Sequence, residues 1–209
     1  MLRVENISTG YGEKQVLYDI SFKVKEGEIV LLTGGNGSGK STILKAIFRL
    51  LPLWNGSIIF RNQNLSKVNT SDLLKIGMVY IPQKNNYFEN LTVKENLKIS
   101  GISLPKNIFE ERIQEVWELP KLYEYRNKKP FYLSGGERQL LAFGMGIIHK
   151  PKLFLLDEPF AGISSKISDF YIKKIENLIQ QASFILVEHK KHISIKINKH
   201  IQIQLGKIN

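Results

Sequence analysis

Aliphatic and β-branched residues recur in short alternating or continuous runs, which predict strands near Leu2–Ile7, Tyr18–Val24, Glu28–Thr33, Ser57–Phe60, Met78–Ile81, Leu153–Leu156, Ser183–Val187 and His200–Gln204. Apolar residues at helical spacing begin at Lys40, Thr92, Ile108, Gly135 and Lys166. Strands alternating with helices predict an α/β fold with a mainly parallel central sheet. A short Gly10-Tyr11-Gly12 turn between the first two strands adds an antiparallel β piece at the N-terminal edge. From Lys84 to Leu133 the strand signals vanish. Thr92-Val93-Lys94-Glu95 has the spacing of a capping box, in which the threonine accepts from the Glu95 amide and the glutamate reaches back. Ile108 to Trp117 then reads as amphipathic, and Pro120 ends it. Residues 1–209 are expected to form one domain, with 1–83 and 134–209 as an α/β core and 84–133 as an inserted helical lobe.

Composition narrows the class. A 43% hydrophobic share in 209 residues supports a real core and excludes disorder of the whole chain. No apolar run approaches the roughly 18 to 20 residues that a membrane helix needs. Met1-Leu2-Arg3-Val4-Glu5 lacks the charged start and apolar stretch of a secretory signal. The absence of cysteine excludes disulfides, thiolate metal sites and cysteine nucleophiles, and fits a reducing compartment. The expectation is a soluble, cytoplasmic protein. Lys+Arg number 30 against 19 Asp+Glu, so the net charge of +11 points to a polyanion partner such as nucleic acid, nucleotide or an anionic membrane surface. Only six of the basic residues are arginine, and Lys and Ile make up about a quarter of the chain, so compositional drift gives the same charge without any partner.

The chemistry begins after the third strand. Glu28-Ile29-Val30-Leu31-Leu32-Thr33 runs straight into Gly34-Gly35-Asn36-Gly37-Ser38-Gly39-Lys40-Ser41-Thr42, followed by the helical pattern Ile43, Leu44, Ile47. This is G-x-x-x-x-G-K-[ST] in its required strand–loop–helix context. Glycines let successive N–H groups turn inward around phosphate oxygens. The helix starting near Lys40 points its positive end at the same charge. Lys40 would reach the β and γ phosphates, and the Ser41 hydroxyl would ligate Mg²⁺. A chance glycine-rich turn lacks the flanking strand and helix, so the reading is nucleoside triphosphate binding.

A second site follows. Lys152-Leu153-Phe154-Leu155-Leu156-Asp157-Glu158-Pro159 is a continuously apolar strand ending in two carboxylates, which places them at the carboxyl edge of a parallel sheet. Asp157 fits a Mg²⁺ ligand and Glu158 a general base for an attacking water; the plain alternative is two solvated acids in a loop. Leu133-Ser134-Gly135-Gly136-Glu137-Arg138-Gln139 also has capping-box spacing, so simple helix initiation competes with function. Capping needs neither glycine, and the pair would let a phosphate approach closely.

Leu-Ser-Gly-Gly-Glu, in a chain that also holds the phosphate loop and Leu-Leu-Asp-Glu-Pro, resembles the ABC ATPases, the nucleotide-binding subunits of ABC transporters. The resemblance spans essentially the whole chain. It implies that Tyr11 in Thr9-Gly10-Tyr11-Gly12 stacks on adenine, with Val16 as its apolar neighbour. Gln83 in Val79-Tyr80-Ile81-Pro82-Gln83 resembles the glutamine that senses Mg²⁺ and water and leads into the helical lobe. His189 in Leu186-Val187-Glu188-His189 looks like the switch histidine that contacts the γ-phosphate, although alone it would read as an ordinary histidine. The implied catalytic set is Glu158, His189, Gln83 and Lys40. The resemblance implies that ATP is held by Tyr11, Val16, Gly34, Gly35, Asn36, Gly37, Ser38, Gly39, Lys40, Ser41 and Thr42, and by Ser134, Gly135 and Gly136 of a second subunit. Ser41, Gln83 and Asp157 would hold Mg²⁺.

The resemblance also implies a head-to-tail dimer, homo- or heteromeric, that closes on ATP and reopens after hydrolysis, driving transmembrane permease subunits from the cytoplasmic face of the membrane. Tyr87 to Leu97 and Asp157 to Gly162 look most like the branched-chain amino-acid uptake group and are similar to the lipopolysaccharide-export ATPases. Two positions depart from the pattern. Ser164 stands where aspartate is usual, and Met145 where an arginine is common, which puts cross-dimer coupling and an ion pair in doubt. The chain stops soon after the strand holding Ile201 and Ile203, with no room expected for a regulatory domain.

Two other readings fit the sequence less well. Non-transport ABC ATPases of DNA repair or translation carry a long coiled coil or two ATPase units; about 90 residues between Lys40 and Ser134 and one set of motifs fit neither. A nucleic-acid or membrane-surface module would use Lys190, Lys191, Lys196, Lys199 and Lys207, a segment without acids. No nucleic-acid motif or interleaved aromatic accompanies them, so no specific nucleic-acid partner is expected.

Overall fold

A computed structural model describes residues 1–84, 86–189 and 194–209, so Lys190 and Lys191 lie outside the described residues. The strands are β1 (Leu2–Tyr11), β2 (Lys14–Val24), β3 (Ile29–Thr33), β4 (Asn55–Phe60), β5 (Gln63–Asn64), β6 (Met78–Ile81), β7 (Leu153–Asp157), β8 (Ser183–Glu188), β9 (Lys199–Gln204) and β10 (Lys207–Ile208). The helices are α1 (Lys40–Ile47), α2 (Val93–Ser100), α3 (Lys106–Trp117), α4 (Gly135–Ile147) and α5 (Ser165–Leu178).

Two sheets result. One is antiparallel in the order β2-β1-β4-β5; the other has the order β10-β9-β3-β8-β7-β6, with every pair parallel except β9–β10. The expected antiparallel piece is thus a separate sheet that also takes β4 and β5. Its first hairpin turns one step later than the Gly10-Tyr11-Gly12 reading: Gly10 and Tyr11 still pair with Gln15 and Lys14, and Gly12 makes the turn at φ 57°. Gly10 therefore serves the strand pairing rather than the turn, since a side chain there would collide with the Lys14 carbonyl.

Period-two alternation divides the core. Val30 and Leu32 of β3, Leu153 and Leu155 of β7, and Ile185 and Val187 of β8 face one cluster with α1 and the antiparallel sheet. Ile29, Leu31, Phe154, Leu156, Phe184 and Leu186 face the other, with α4 and α5. Both faces are therefore covered, which is why β3, β7 and β8 are buried throughout.

Residues 84–133 hold α2 and α3 and, among the described residues, no strand. Thr92 starts α2 with both reciprocal bonds of a capping box in place. Val93, Leu97, Phe109, Ile113 and Val116 join the same apolar cluster as Leu140, Leu141 and Phe143 of α4, so this segment shares a core with α4 rather than building its own. Gly144 permits the contact, because a Cβ there would sit 2.6 Å from Val116.

Parallel register brings four strand ends together. Ile81 pairs with Leu156, Asp157 with Val187, and Thr33 with Glu188. The chain leaving each end carries Gln83, Glu158, the phosphate loop and His189, so the sheet alone places these groups along one carboxyl edge.

Candidate active site

The phosphate loop joins β3 to α1. Gly39 caps the helix at φ 107°, a conformation that favours glycine. Any side chain on Gly34 would run into the Ile203 carbonyl. Lys40 is buried, and its Nζ donates to the Gly34 and Gly35 carbonyls at 3.0 and 2.9 Å. The buried Ser38 hydroxyl has no hydrogen-bond partner among the described residues. A loop that holds an ammonium against its own carbonyls, with an orphaned hydroxyl beside it, is a cradle that phosphate oxygens would complete.

The next group is an oxygen pair. Ser41 Oγ donates to Asp157 Oδ1 at 2.8 Å, joining residues 116 positions apart in sequence. Tyr80 Oη reaches the other carboxylate oxygen, Oδ2, at 3.3 Å. Burial pushes the Asp157 carboxyl above its ordinary value, against the lowering effect of the Ser41 and Tyr80 hydrogen bonds. Burial, with the Asp157 charge second, likewise raises the Tyr80 phenol. Among the described residues no three His, Cys, Asp or Glu side chains cluster as a metal cage. One carboxylate and one hydroxyl beside a phosphate loop instead suit a Mg²⁺ ion that takes its remaining ligands from the nucleotide and water.

Glu158 follows Asp157 but turns away from it, at φ 51°. Its Oε2 accepts from Gln83 Nε2, and its Oε1 lies 2.7 Å from His189 Nε2. Three of the four predicted catalytic residues therefore form one cluster, with Lys40 in the adjoining loop. Gln83 points its amide nitrogen at Glu158 rather than at the Ser41–Asp157 pair.

Tyr11 is 45% exposed, and Lys45 Nζ lies 5.6 Å from its ring centroid and 3.3 Å from its hydroxyl. Val16 packs partly buried beside the phosphate loop, where a Cβ on Gly39 would be 3.7 Å from its Cγ1.

The Ser134–Gly136 segment is not part of this cluster. Ser134 caps α4 through a complete capping box with Glu137, at 3.3 and 2.8 Å. Gly135 is exposed and lines a cleft with Gln83, Arg138, Ala161 and Gly162, to which none of residues 34–42 contributes. Gly136 is buried, and a Cβ there would lie 2.8 Å from Ile167 Cδ1, so a side chain would push the tip of Ile167 aside. Ser164 is the N-cap residue of α5 without a side-chain capping bond. Met145 packs against the core, and its carbonyl accepts from Ser100 Oγ at 2.7 Å.

Sequence reading passed over Tyr80 and Lys45. Tyr80 stands three residues before Gln83 on β6, and its position opposite Leu155 was the available signal; that pairing required the sheet order.

These groups, set along one edge of a parallel sheet, define a P-loop nucleotide hydrolase. The ABC transporter family model matches residues 17–161. A probable branched-chain amino acid transport ATP-binding protein of Archaeoglobus fulgidus is 34% identical over 201 residues, covering 95% of this chain and 85% of the relative. A high-affinity branched-chain amino acid transport ATP-binding protein of Pseudomonas aeruginosa is 36% identical over 199 residues, covering 94% and 85%. The crystal structure of an ATP-binding cassette of an ABC transporter in its ADP conformation superposes with a TM-score of 0.88 at 27% identity, covering 100% of this chain and 89% of that one. The chain belongs to the ABC transporter family, as one of its ATP-binding and ATP-hydrolysing subunits.

Proposed function

We propose that Glu158 is the general base of ATP hydrolysis, and that the chain works as one half of a head-to-tail dimer driving a membrane permease. The observation that carries the first part is Glu158 itself, held between Gln83 and His189 one residue beyond the Ser41–Asp157 pair. Lys40 exchanges the Gly34 and Gly35 carbonyls for β- and γ-phosphate oxygens, and Ser38 gains a partner. Ser41 and Asp157 would hold Mg²⁺, with Gln83 joining them only once its amide leaves Glu158, and the ion when bound neutralises charge on the phosphates. Glu158 gives up a present partner to orient a water and takes its proton as the water oxygen bonds the γ-phosphorus. The bond to the β–γ bridging oxygen breaks, ADP leaves with that electron pair, and His189 steadies the γ-phosphate oxygens. Tyr11 stacks on adenine, with Val16 beneath it.

The second part rests on Ser134. Ser134 and Gly135 are exposed, and the cleft that Gly135 lines takes in none of residues 34–42 of the same chain. A second subunit, identical or related, would bring its loop-bound ATP to them, and donors from both sides would stabilise the transition state. Residues 84–133 act as a helical subdomain within domain 1–209. A cleft of about 570 Å³ between this subdomain and the core is lined by Leu74, Phe88, Ile99 and Ile102, all exposed apolar side chains. Such a patch is a surface for a permease subunit at the cytoplasmic face of the membrane. No helix among the described residues is long and apolar enough to cross a membrane. The two relatives are named for branched-chain amino acid transport, and the same solute class is proposed for the complex served here.

Glu158→Gln tests the base. Turnover should fall by about 10²- to 10⁴-fold while ATP affinity is retained. Hydrolysis at the parent's rate would remove Glu158 from the role.

A further inference from the structure

We propose that Glu188 is a positioning residue that fixes the loop after Glu158 against the strand end bearing His189. The inference rests on the reading of Glu158 and His189 as the reacting pair, and it begins with backbone accounting. Strands β7 and β8 pair in parallel as far as Asp157 and Val187. One further main-chain bond follows, from the Glu158 N–H to the Val187 carbonyl at 3.0 Å. The ladder then stops, because Glu158 takes a left-handed φ of 51° and Pro159 has no N–H to give. The next donor is the Phe160 N–H, and the Glu188 side chain replaces the missing strand partner, with Oε1 accepting at 3.0 Å.

A closed ring results. Glu158 connects through two peptide units to Phe160, Phe160 bonds to Glu188, the chain continues from Glu188 to His189, and His189 Nε2 returns to Glu158 Oε1 at 2.7 Å. Losing the Glu188 acceptor would open the ring at the link that sets the height of the loop. The Phe160 ring adds a second anchor, edge-on to Tyr171 at 5.5 Å, while Tyr171 stacks on Phe143 at 4.2 Å in the core.

Glu188 is an unusual group to bury. It is only 8% exposed, and burial pushes its carboxyl above the ordinary range against the pull of the Phe160 and His189 N–H groups. The neighbouring Tyr171 hydroxyl is buried without a partner among the described residues and is raised by burial first and by the Glu188 charge second. Buried carboxylates cost free energy unless hydrogen-bonded, and the Phe160 amide is the bond that Glu188 makes.

Three variants separate reach from charge. Glu188→Gln keeps the length and the acceptor oxygen but loses the charge. Glu188→Asp keeps the charge but draws the acceptor back by one methylene. Glu188→Leu removes the acceptor. The readouts are kcat and KM for ATP, melting temperature, and exchange of the Phe160 amide followed by NMR on ¹⁵N-phenylalanine protein. Glu188→Gln should keep kcat within about threefold of the parent and keep Phe160 protected, as rescue by the conservative variant requires. Glu188→Asp and Glu188→Leu should lose kcat by about tenfold with KM within about twofold, and should expose the Phe160 amide. Should Glu188→Leu fail to fold, the Gln and Asp variants still decide.

Full activity in Glu188→Asp with loss in Glu188→Gln would overturn the proposal in favour of charge. Unaltered Phe160 exchange in Glu188→Asp, or loss of kcat only in step with KM and melting temperature, would overturn it in favour of simple scaffolding. Failure of the Glu158 reading is separately visible: Glu158→Gln would then turn over ATP, whatever the amide exchange shows.

Discussion

At residues 34–42 the chain buries its phosphate-loop serine and lysine, whereas at residues 134 and 135 the start of a helix lies exposed. Lys40 is 5% exposed and pinned by two carbonyls, and Ser38 is buried without a partner among the described residues. Ser134 and Gly135 are exposed, and the Ser134 N–H and hydroxyl are already paired with Glu137. One region is built to receive a ligand from solvent; the other is a finished helix start that gains a role only when a second surface meets it. Both use a helix N-terminus and glycine, so the difference lies in what surrounds them.

The largest effect that separates the two regions is expected at Lys40. Lys40→Ala should weaken ATP binding by about 100-fold, the scale of a lost charge-assisted contact of roughly 2–3 kcal/mol, measured by nucleotide titration of the isolated subunit. Ser134→Ala should leave that affinity unchanged and lower turnover by about tenfold, because its hydroxyl acts only across the dimer. It should also cost about 1 kcal/mol of stability as a lost helix cap. Thr92 makes the same capping box at the start of α2, so Thr92→Ala should show a similar loss of about 1 kcal/mol in chemical denaturation with turnover unchanged. Equal turnover losses at Thr92 and Ser134 would dissolve the distinction. Tyr11→Ala should weaken ATP binding by on the order of 1 kcal/mol, about fivefold, and an unchanged affinity would mean that another group holds the base.

Legibility followed sequence distance. The phosphate loop, the Asp157–Glu158 pair and both capping boxes are contiguous motifs, so their local chemistry could be read before any fold was known. The eight expected strands are all present, most within a residue or two, because period-two and continuous apolar runs mark them directly; β1 and β2 each run four residues further into their shared turn. Tertiary pairing hid the rest. Glu188 looked like the residue before His189 until β7 and β8 were seen side by side, and Tyr80 gained a role only when β6 lay against β7. Gly136 lies against Ile167 of α5, 31 positions later, a neighbour that only the fold reveals. The net charge of +11 is carried largely by lysine, and of those lysines only Lys40 has an assigned place at the nucleotide.

In the proposed dimer, Ser134–Gly136 complete the ATP site of another subunit. Size-exclusion chromatography of Glu158→Gln with ATP tests this most directly. The prediction is elution at the mass of two chains, reverting to one chain when Ser134→Arg is added although ATP remains bound. A Glu158→Gln protein that stays a monomer with ATP bound, or a dimer that survives Ser134→Arg, would contradict it.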